Sequence, residues 1–93
     1  MSLRINDSVI WHETHDGISL YNTETGAFLT LNETGTEIWS LIDSLGERAP
    51  VVWKMALQYG GTNVAVSRRI RTDVDAFISS VVDSGLVTEA VPA

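Results

Sequence analysis

The sequence predicts one α+β domain, in which a three-stranded antiparallel sheet is followed by three helices. Apolar residues alternate with period two as far as about residue 31, which is typical of strands. From Ile38 onward they recur at helical spacing. The 93 residues are 44% hydrophobic and 19% charged, which suits a single small core. We therefore expect one domain over residues 1–93, with its core between about residues 7 and 88.

Three short segments in the first third of the chain have the composition of strands. They are residues 7–14 (DSVIWHET), 17–22 (GISLYN) and 27–31 (AFLTL). Between the first two, Asp16-Gly17 is a strong signal for a two-residue hairpin loop. In the third segment Ala27, Leu29 and Leu31 fall on one face. The order predicts an antiparallel meander.

The first two predicted helices are bounded by residues that favour helix ends. Asn32 is a good N-cap for the first helix, and Gly46 closes it. Pro50 suits the first position of the second helix, which ends at Gly60-Gly61. Each has one apolar face, which consists of Ile38, Leu41, Ile42 and Leu45 in the first helix and of Val52, Met55, Ala56 and Tyr59 in the second.

The third predicted helix is the longest, from about Val66 to Ser84, with Gly85 as its C-cap. Its inward residues are expected to be Val66, Ile70, Val74, Phe77, Ile78 and Val81. Leu86 and Val87 should fold back onto the helix end, and residues 88–93 (TEAVPA) should form a frayed tail. Three strands followed by three helices indicate the winged helix-turn-helix type of α+β fold.

Composition excludes several classes of function. The chain has no cysteine, so disulfides and thiolate metal sites are absent. Its net charge of −6 argues against nucleic acid as the main partner, because affinity for phosphate comes mostly from lysine and arginine. No apolar run approaches the length of about 18–20 residues that a membrane helix needs, and the N-terminus lacks a signal-peptide pattern. We expect a cytoplasmic protein.

No residues suggest catalysis. His12 and His15 lie three apart, which on a strand places them on opposite faces. With Glu13 and Asp16 they could form a weak cation site, but a solvated polar turn is the better interpretation. No Ser–His–Asp arrangement, phosphate-binding loop or acid–base pair can be argued. The sequence predicts no enzyme, no cofactor and no metal.

The tryptophans differ in their predicted environments. Trp39 falls on the apolar face of the first helix and should belong to the core. Trp53 lies on the less apolar face of the second helix and should be partly exposed. An exposed tryptophan hints at a protein interface.

One basic cluster, residues 67–75 (SRRIRTDVD), allows a different function. In a winged-helix fold the last helix could enter a DNA groove, with Arg68, Arg69 and Arg71 as readers. The alternative is that these arginines pair within the helix, Arg69 with Asp73 and Arg71 with Asp75, at i, i+4 spacing. Such pairs would halve the positive field of the cluster.

The third strand raises a second possibility, because one of its edges has no partner in a meander. The segment AFLTL carries neither charge nor proline, the usual protections of an exposed edge. Either a helix covers that edge, or a peptide adds to it as a further strand, with the third helix as the other wall of the groove. A third alternative is a module that dimerises through the open edge.

Two long stretches, DGISLYNTETGAFLTLNETGTEIWSLID and VSRRIRTDVDAFISSVVDSGLV, resemble the PqqD-like recognition elements of ribosomally made, modified peptides (RiPPs). The shared pattern is a strand, G-x-x-x-x-LN, a helix with Gly35, Ile38 and Trp39, then D-V-x-x-F and GL. It covers about residues 9–88. The segment LNETGTEIW resembles the corresponding segment of the stand-alone recognition elements of lasso-peptide gene clusters.

This resemblance implies a small winged-helix domain that binds the leader segment of a precursor peptide. The leader would add antiparallel to residues 27–31, and the precursor would pass to a leader protease and then to a cyclase. The implied strand wall is Ala27, Phe28, Leu29, Thr30 and Leu31. The implied helix wall is Val66, Arg69, Ile70, Asp73 and Phe77. Lasso leaders commonly carry Y-x-x-P, which an apolar pocket at Leu29, Ile70 and Val66 would take, while Arg69 or Asp73 pairs with polar leader groups. Relatives usually have a capping Asp or Ser and a Pro where this chain has Ala65 and Val66.

Overall fold

The computed structural model describes residues 2–90, which form two antiparallel sheets and three helices. The elements in chain order are β1 (Ser2–Ile5), β2 (Val9–Thr14), β3 (Gly17–Asn22), β4 (Phe28–Leu31), α1 (Glu33–Leu45), α2 (Arg48–Gly60), α3 (Val64–Asp83) and β5 (Val87–Ala90). The predicted α+β class, the three strands and the three helices are confirmed. The prediction of a single sheet is wrong, because β1 and β5 form a second one. None of the helices within residues 2–90 is long and apolar enough to cross a membrane.

The larger sheet has the strand order β2-β3-β4, as the meander predicts. Its first hairpin loop is His15–Asp16, because Thr14 pairs with Gly17, so the predicted loop at Asp16-Gly17 is shifted by one residue. Gly17 instead opens β3 with a φ of 144°. A Cβ at Gly17 would lie 2.0 Å from the carbonyl oxygen of Leu31, so only glycine allows β4 to pair this closely.

The smaller sheet joins the two ends of the described chain. β1 pairs antiparallel with β5, from Ser2 opposite Ala90 to Ile5 opposite Val87. The expectation of a frayed tail is therefore wrong for residues 88–90, while residues 91–93 lie outside the described part. Leu3 and Val87 are buried in this sheet. Each strand has only four residues, too few for a clear alternation in the sequence.

The helix ends largely follow their capping residues. Asn32 caps α1, its Oδ1 accepting from the N–H of Gly35 at 2.8 Å, and Gly46 ends that helix in the left-handed conformation. α2 begins at Arg48, two residues before the predicted start at Pro50. Proline is tolerated there because the first N–H groups of a helix have no partner within it. α3 begins at Val64, since the side chain of Asn63 provides the cap.

The core lies between the larger sheet and the three helices. Its largest fully buried side chains are Trp39, Leu20, Ile42, Met55, Ile78 and Leu86. Trp39 thus belongs to the core, as predicted, and Leu86 and Val87 do fold back behind α3. Val66 is 42% exposed, so its predicted inward position is wrong. It lies in the first turn of α3, whereas the buried residues of that helix, Val74, Ile78 and Val81, all come later.

A buried asparagine connects the turn after β3 to the turn after α3. Asn22 is fully buried, and its Nδ2 donates to the carbonyl of Gly85 at 2.9 Å. Its Oδ1 accepts from Ser8 Oγ at 3.0 Å and from the N–H of Glu24 at 2.9 Å. Asn6 Nδ2 donates to the same Gly85 carbonyl at 3.2 Å. Because a buried amide is costly when unpaired, this set of bonds fixes the β3–β4 turn relative to α3.

Candidate functional site

A groove with a volume of about 600 Å³ runs between β4 and α3. One wall is the end of β4 with the start of α1, and the other is the middle of α3. Its lining residues are Leu29, Thr30, Leu31, Asn32, Thr34, Gly35, Ile38, Met55, Tyr59, Ile70, Asp73, Val74 and Phe77. Most of these side chains are apolar, so the groove suits a ligand with apolar side chains.

The strand wall has a free edge. β4 is the last strand of its sheet, and within residues 2–90 no strand pairs with its second edge. Leu29 and Leu31 point inward, toward the core and the groove, while Phe28 and Thr30 are exposed. An apolar edge of this kind can take a further strand.

The hydrogen-bond pattern of β4 determines which of its backbone groups face the free edge. The N–H of Asn22 donates to the carbonyl of Ala27 at 2.8 Å. Bonded pairs alternate along an antiparallel ladder, so the register also makes Leu29 a bonded partner of β3. The N–H and C=O groups of Phe28 and Thr30 consequently point away from β3. These four groups are available to a peptide lying along β4.

The helix wall combines apolar and acidic side chains. Ile70 and Phe77 are partly buried against the core, and the buried Val74 lies between them. Asp73 lies in the same lining and is exposed. No ion pair to Asp73 is present among the described residues. A cationic or hydrogen-bonding group of a ligand could therefore pair with this carboxylate.

The structure brings together most of the expected binding residues. Those that line the groove are Leu29, Thr30, Leu31, Ile70, Asp73 and Phe77. Four do not line it. Ala27 precedes β4, Phe28 points to the outer face of the sheet, and Val66 and Arg69 are exposed on α3 outside the groove. The expected pocket of Leu29, Ile70 and Val66 is thus formed without Val66.

Sequence reasoning missed the contribution of α1 and α2 to the groove. Gly35 lies in the first turn of α1, and a Cβ there would be 3.3 Å from the Cβ of Leu31. The glycine thereby lets the helix start approach the strand end. Ile38 and Met55 form the buried floor. The LN-x-x-G spacing is the sequence signal that could have located the α1 side.

A tyrosine–carboxylate contact joins α1 to α2 beside the groove. The hydroxyl of Tyr59, which lines the groove, donates to Glu37 Oε1. This hydrogen bond to the carboxylate raises the pKa of Tyr59. Gln58 Nε2 donates to the second oxygen of Glu37 at 3.3 Å. At neutral pH the tyrosine is therefore a neutral donor, with its acceptor already in place.

An arginine at the start of α2 ties α3 to the smaller sheet. Arg48 donates to both carboxylate oxygens of Glu89, at 2.7 and 2.9 Å, and to Asp75 Oδ1 at 2.8 Å. The bonds to Glu89 contribute most to raising the pKa of Arg48, and they lower the pKa of Glu89. This bidentate, largely buried pair joins α2 to the smaller sheet, and the bond from Arg48 to Asp75 attaches α3 to the same contact.

The arginines of α3 do not form the i, i+4 ion pairs predicted for the basic cluster. The guanidinium of Arg71 stacks over the ring of Trp53 at 4.9 Å, and Asp75 pairs with Arg48. The predicted Arg71–Asp75 pair is therefore wrong. Within the described residues, Arg69 and Asp73 are not within ion-pair distance either. Trp53 is 53% exposed, which confirms its predicted position.

The two histidines lie on or beside the first hairpin and are both exposed. Across residues 2–90, no group of three or more His, Asp or Glu side chains is arranged to hold a metal ion.

The outer face of the larger sheet carries an apolar row. Ile10, Tyr21 and Phe28 lie opposite one another across the three strands and are 61%, 41% and 65% exposed. We call these three residues the outer row. Contiguous exposed apolar side chains are a feature of interaction surfaces, whereas single ones need no explanation.

Comparisons with known proteins give one matching family and two solved structures with a similar fold. The model of the family described as Coenzyme PQQ synthesis protein D (PqqD) matches residues 17–87. Two solved structures have the same fold, each with a TM-score of 0.78 over 96% of this chain. One is TbiB1 in complex with the TbiA(beta) leader peptide, 21% identical and covered over 99% of its length. The other is a lasso peptide synthetase B1 complexed with the leader peptide, 19% identical and covered over 100%. Comparison with curated proteins gives no match.

Proposed function

This chain belongs to the PqqD family, and from that premise we propose that it is a non-enzymatic adaptor that binds the leader of a ribosomally made precursor peptide, of the lasso class. The observation that carries the proposal is the free edge of β4 beside an apolar groove. The two solved structures with this fold support it, because both are described as leader-peptide complexes.

The leader adds as a strand antiparallel to β4. Its backbone bonds to the N–H and C=O groups of Phe28 and Thr30, which face the free edge. Alternate leader side chains enter the groove and contact Leu29, Ile70 and Phe77. Backbone bonds set the register, and the groove selects the side chains. In this geometry the tyrosine and proline of a Y-x-x-P motif occupy the apolar part of the groove, near Leu29 and Ile70.

The polar groups of the groove add selectivity. Asp73 has no ion-pair partner within the described chain, so it favours a leader with a donor or cation at the matching position. Arg69 is exposed and lies outside the groove, so Asp73 is the charged side chain of α3 placed to contact the leader. Replacing Asp73 should therefore affect binding more than replacing Arg69.

The bound precursor is then presented to a leader protease and to a cyclase. Tethering raises the effective concentration of the core peptide at each enzyme, to the millimolar range for a short linker. The outer row supports a contact with the protease, because Phe28 belongs both to this row and to the strand that receives the leader. A protease docked there would lie beside the bound leader.

This proposal carries three further assignments. We propose a winged helix-turn-helix arrangement, supported by three successive helices packed on an antiparallel meander. We place the protein in the cytoplasm, where precursor peptides are synthesised. Pairing of two β4 edges in a homodimer is the alternative use of the same edge, and leader binding would compete with it.

Fluorescence anisotropy tests the proposal. A labelled candidate leader peptide that carries a Y-x-x-P motif is titrated at near-physiological salt, with a scrambled peptide of the same composition as control. A labelled DNA duplex is measured in parallel. We expect saturable leader binding with a Kd between micromolar and tens of nanomolar, about −8 to −11 kcal/mol. Duplex binding without leader binding would instead support the DNA-binding function of Arg68, Arg69 and Arg71.

A further inference from the structure

Tyr59 closes one end of the groove. It lies at the end of α2, its side chain lines the groove, and the residue is 49% exposed. Its hydroxyl donates to Glu37 of α1, so the side chain reaches from the end of α2 to the second turn of α1. Gln58 Nε2 donates to the other oxygen of Glu37 at 3.3 Å and fixes the carboxylate behind the tyrosine. The end of the groove is therefore an aromatic ring with a carboxylate behind it.

This end of the groove lies where β4 ends and α1 begins, because Tyr59 contacts α1, which follows β4 directly. The start of α3 lies at the same end, since a Cβ at Gly60 would be 2.7 Å from the Cα of Ser67. The C-terminal end of α3 lies at the start of β4, because Asn22, beside the β3–β4 turn, donates to the carbonyl of Gly85. α3 consequently runs antiparallel to β4. A leader antiparallel to β4 therefore has its N-terminal side at Tyr59.

The charge around Tyr59 is negative. Within residues 2–90, Glu37 makes no ion pair, and neither does Glu33, one turn earlier on α1. The hydrogen bond to Glu37 raises the pKa of Tyr59, and the charges of Glu37 and Glu33 raise it further. The tyrosine is therefore protonated at neutral pH, and its proton is directed to Glu37. Arg68 and Arg69, near the start of α3, are exposed to some extent and do not line the groove.

A cation is the group that suits this end of the groove. An aromatic ring attracts a cation placed over its face, within about 6 Å of the ring centre. The Glu37 carboxylate strengthens the attraction through its own charge, and a phenol that donates to a carboxylate also has a more electron-rich ring. The methylene groups of a lysine or arginine can pack on the ring while the charged end stays near solvent. A leader carboxylate at this place would instead be repelled by Glu37 and Glu33.

We propose that Tyr59, with Glu37 behind it, binds one lysine or arginine of the leader, just N-terminal to the segment that pairs with β4. This subsite rests on the proposed function, because the leader and its direction come from there. Asp73 is a different contact, since it follows Ser67 by six residues, about 9 Å along α3. An added strand advances about 3.3 Å per residue, so Asp73 faces a leader position about three residues closer to the leader's C-terminus.

Fluorescence anisotropy with labelled synthetic peptides tests the subsite. The parent peptide carries the Y-x-x-P motif between uncharged flanks, and a lysine is placed in turn at several positions before the motif or after it. We expect one position before the motif to lower Kd about three- to tenfold, and no position after it to do so. The gain should be lost in Glu37→Gln and in Tyr59→Ala, and partly kept in Tyr59→Phe, which retains the ring. Glu24→Gln is the matched control, because it removes the same charge from an exposed residue at the opposite end of β4. It should keep the gain.

The outcomes distinguish failure of the subsite from failure of the proposed function. If no peptide binds the folded wild type, the proposed function itself is overturned. If all peptides bind with the same affinity, only the subsite is overturned. A lysine gain that survives in Glu37→Gln, or that Glu24→Gln removes equally, would also contradict the subsite, because it would reflect net charge alone. A gain that is lost in Asp73→Asn and kept in Glu37→Gln would assign the lysine to Asp73 instead. Thermal unfolding of each variant shows that it is folded.

Discussion

Replacing Thr30 by proline is the most informative single change, because it targets one backbone group. The N–H of Thr30 faces the free edge of β4 and not β3, so proline removes a donor that the sheet does not use. Proline is accepted on edge strands when its nitrogen faces solvent. The variant should therefore fold, with a stability change below about 1 kcal/mol.

Leader binding should be strongly weakened in the same variant. A leader carbonyl that meets the proline ring loses its donor, and leaving such a group unsatisfied costs about 1–3 kcal/mol. This corresponds to about a 5- to 150-fold increase in Kd, since about 1.4 kcal/mol is tenfold. The proline ring also occupies space that the added strand needs, so we expect the upper part of this range.

Leader anisotropy and thermal unfolding of three variants measure the effect. Thr30→Val retains the N–H and the side-chain shape, so it should bind as the wild type does. Leu29→Pro removes a bond to β3 and should destabilise the sheet. A folded Thr30→Pro protein with wild-type leader affinity would refute strand addition at this edge.

Three further predictions concern other parts of the structure. Gly17→Ala should lower the free energy of unfolding by about 2 kcal/mol or more, because a Cβ would collide with the Leu31 carbonyl; unchanged chemical denaturation would contradict this. Glu89→Gln should destabilise the protein at pH 7 by about 1–2 kcal/mol, since it breaks the pair with Arg48. Arg48 lowers the pKa of Glu89, so the stabilisation from this pair is complete above the ordinary glutamate pKa of about 4.3. It is lost as the pH falls through the lowered pKa of the folded protein. The free energies of unfolding of the wild type and of Glu89→Gln should therefore converge in acid. Asp73→Lys should weaken binding of a leader with a cation at the matching position about tenfold, whereas a leader with an acidic residue there should gain affinity.

Strong local signals in the sequence predicted most elements correctly. Asn32 and Gly46 bound α1 as expected, because a side-chain cap and a left-handed glycine act within one turn of the chain. The apolar alternation of Leu29 and Leu31 likewise predicted which face of β4 is buried. These features depend on neighbours in sequence.

Features that depend on distant partners could not be predicted in this way. β1 and β5 are stabilised by each other across the whole chain, and neither has a distinctive pattern alone. Asp75 is bound by Arg48, whose approach depends on how α2 packs on α3. The groove floor at Met55 similarly requires the tertiary arrangement. The turn at Gly26 contains one extra residue, and this residue determines which positions of β4 hydrogen-bond to β3. The backbone groups of β4 that face outward therefore depend on the geometry of that turn.

Hydrogen exchange at single amides tests the central claim most directly. The amide protons of Phe28 and Thr30 face the free edge in the unliganded protein, whereas that of Leu29 is bonded to β3. At saturating leader we predict that exchange slows at Phe28 and Thr30, with a much smaller change at Leu29. Unchanged exchange at both Phe28 and Thr30, under conditions in which anisotropy shows that the leader is bound, would contradict leader recognition by strand addition to β4.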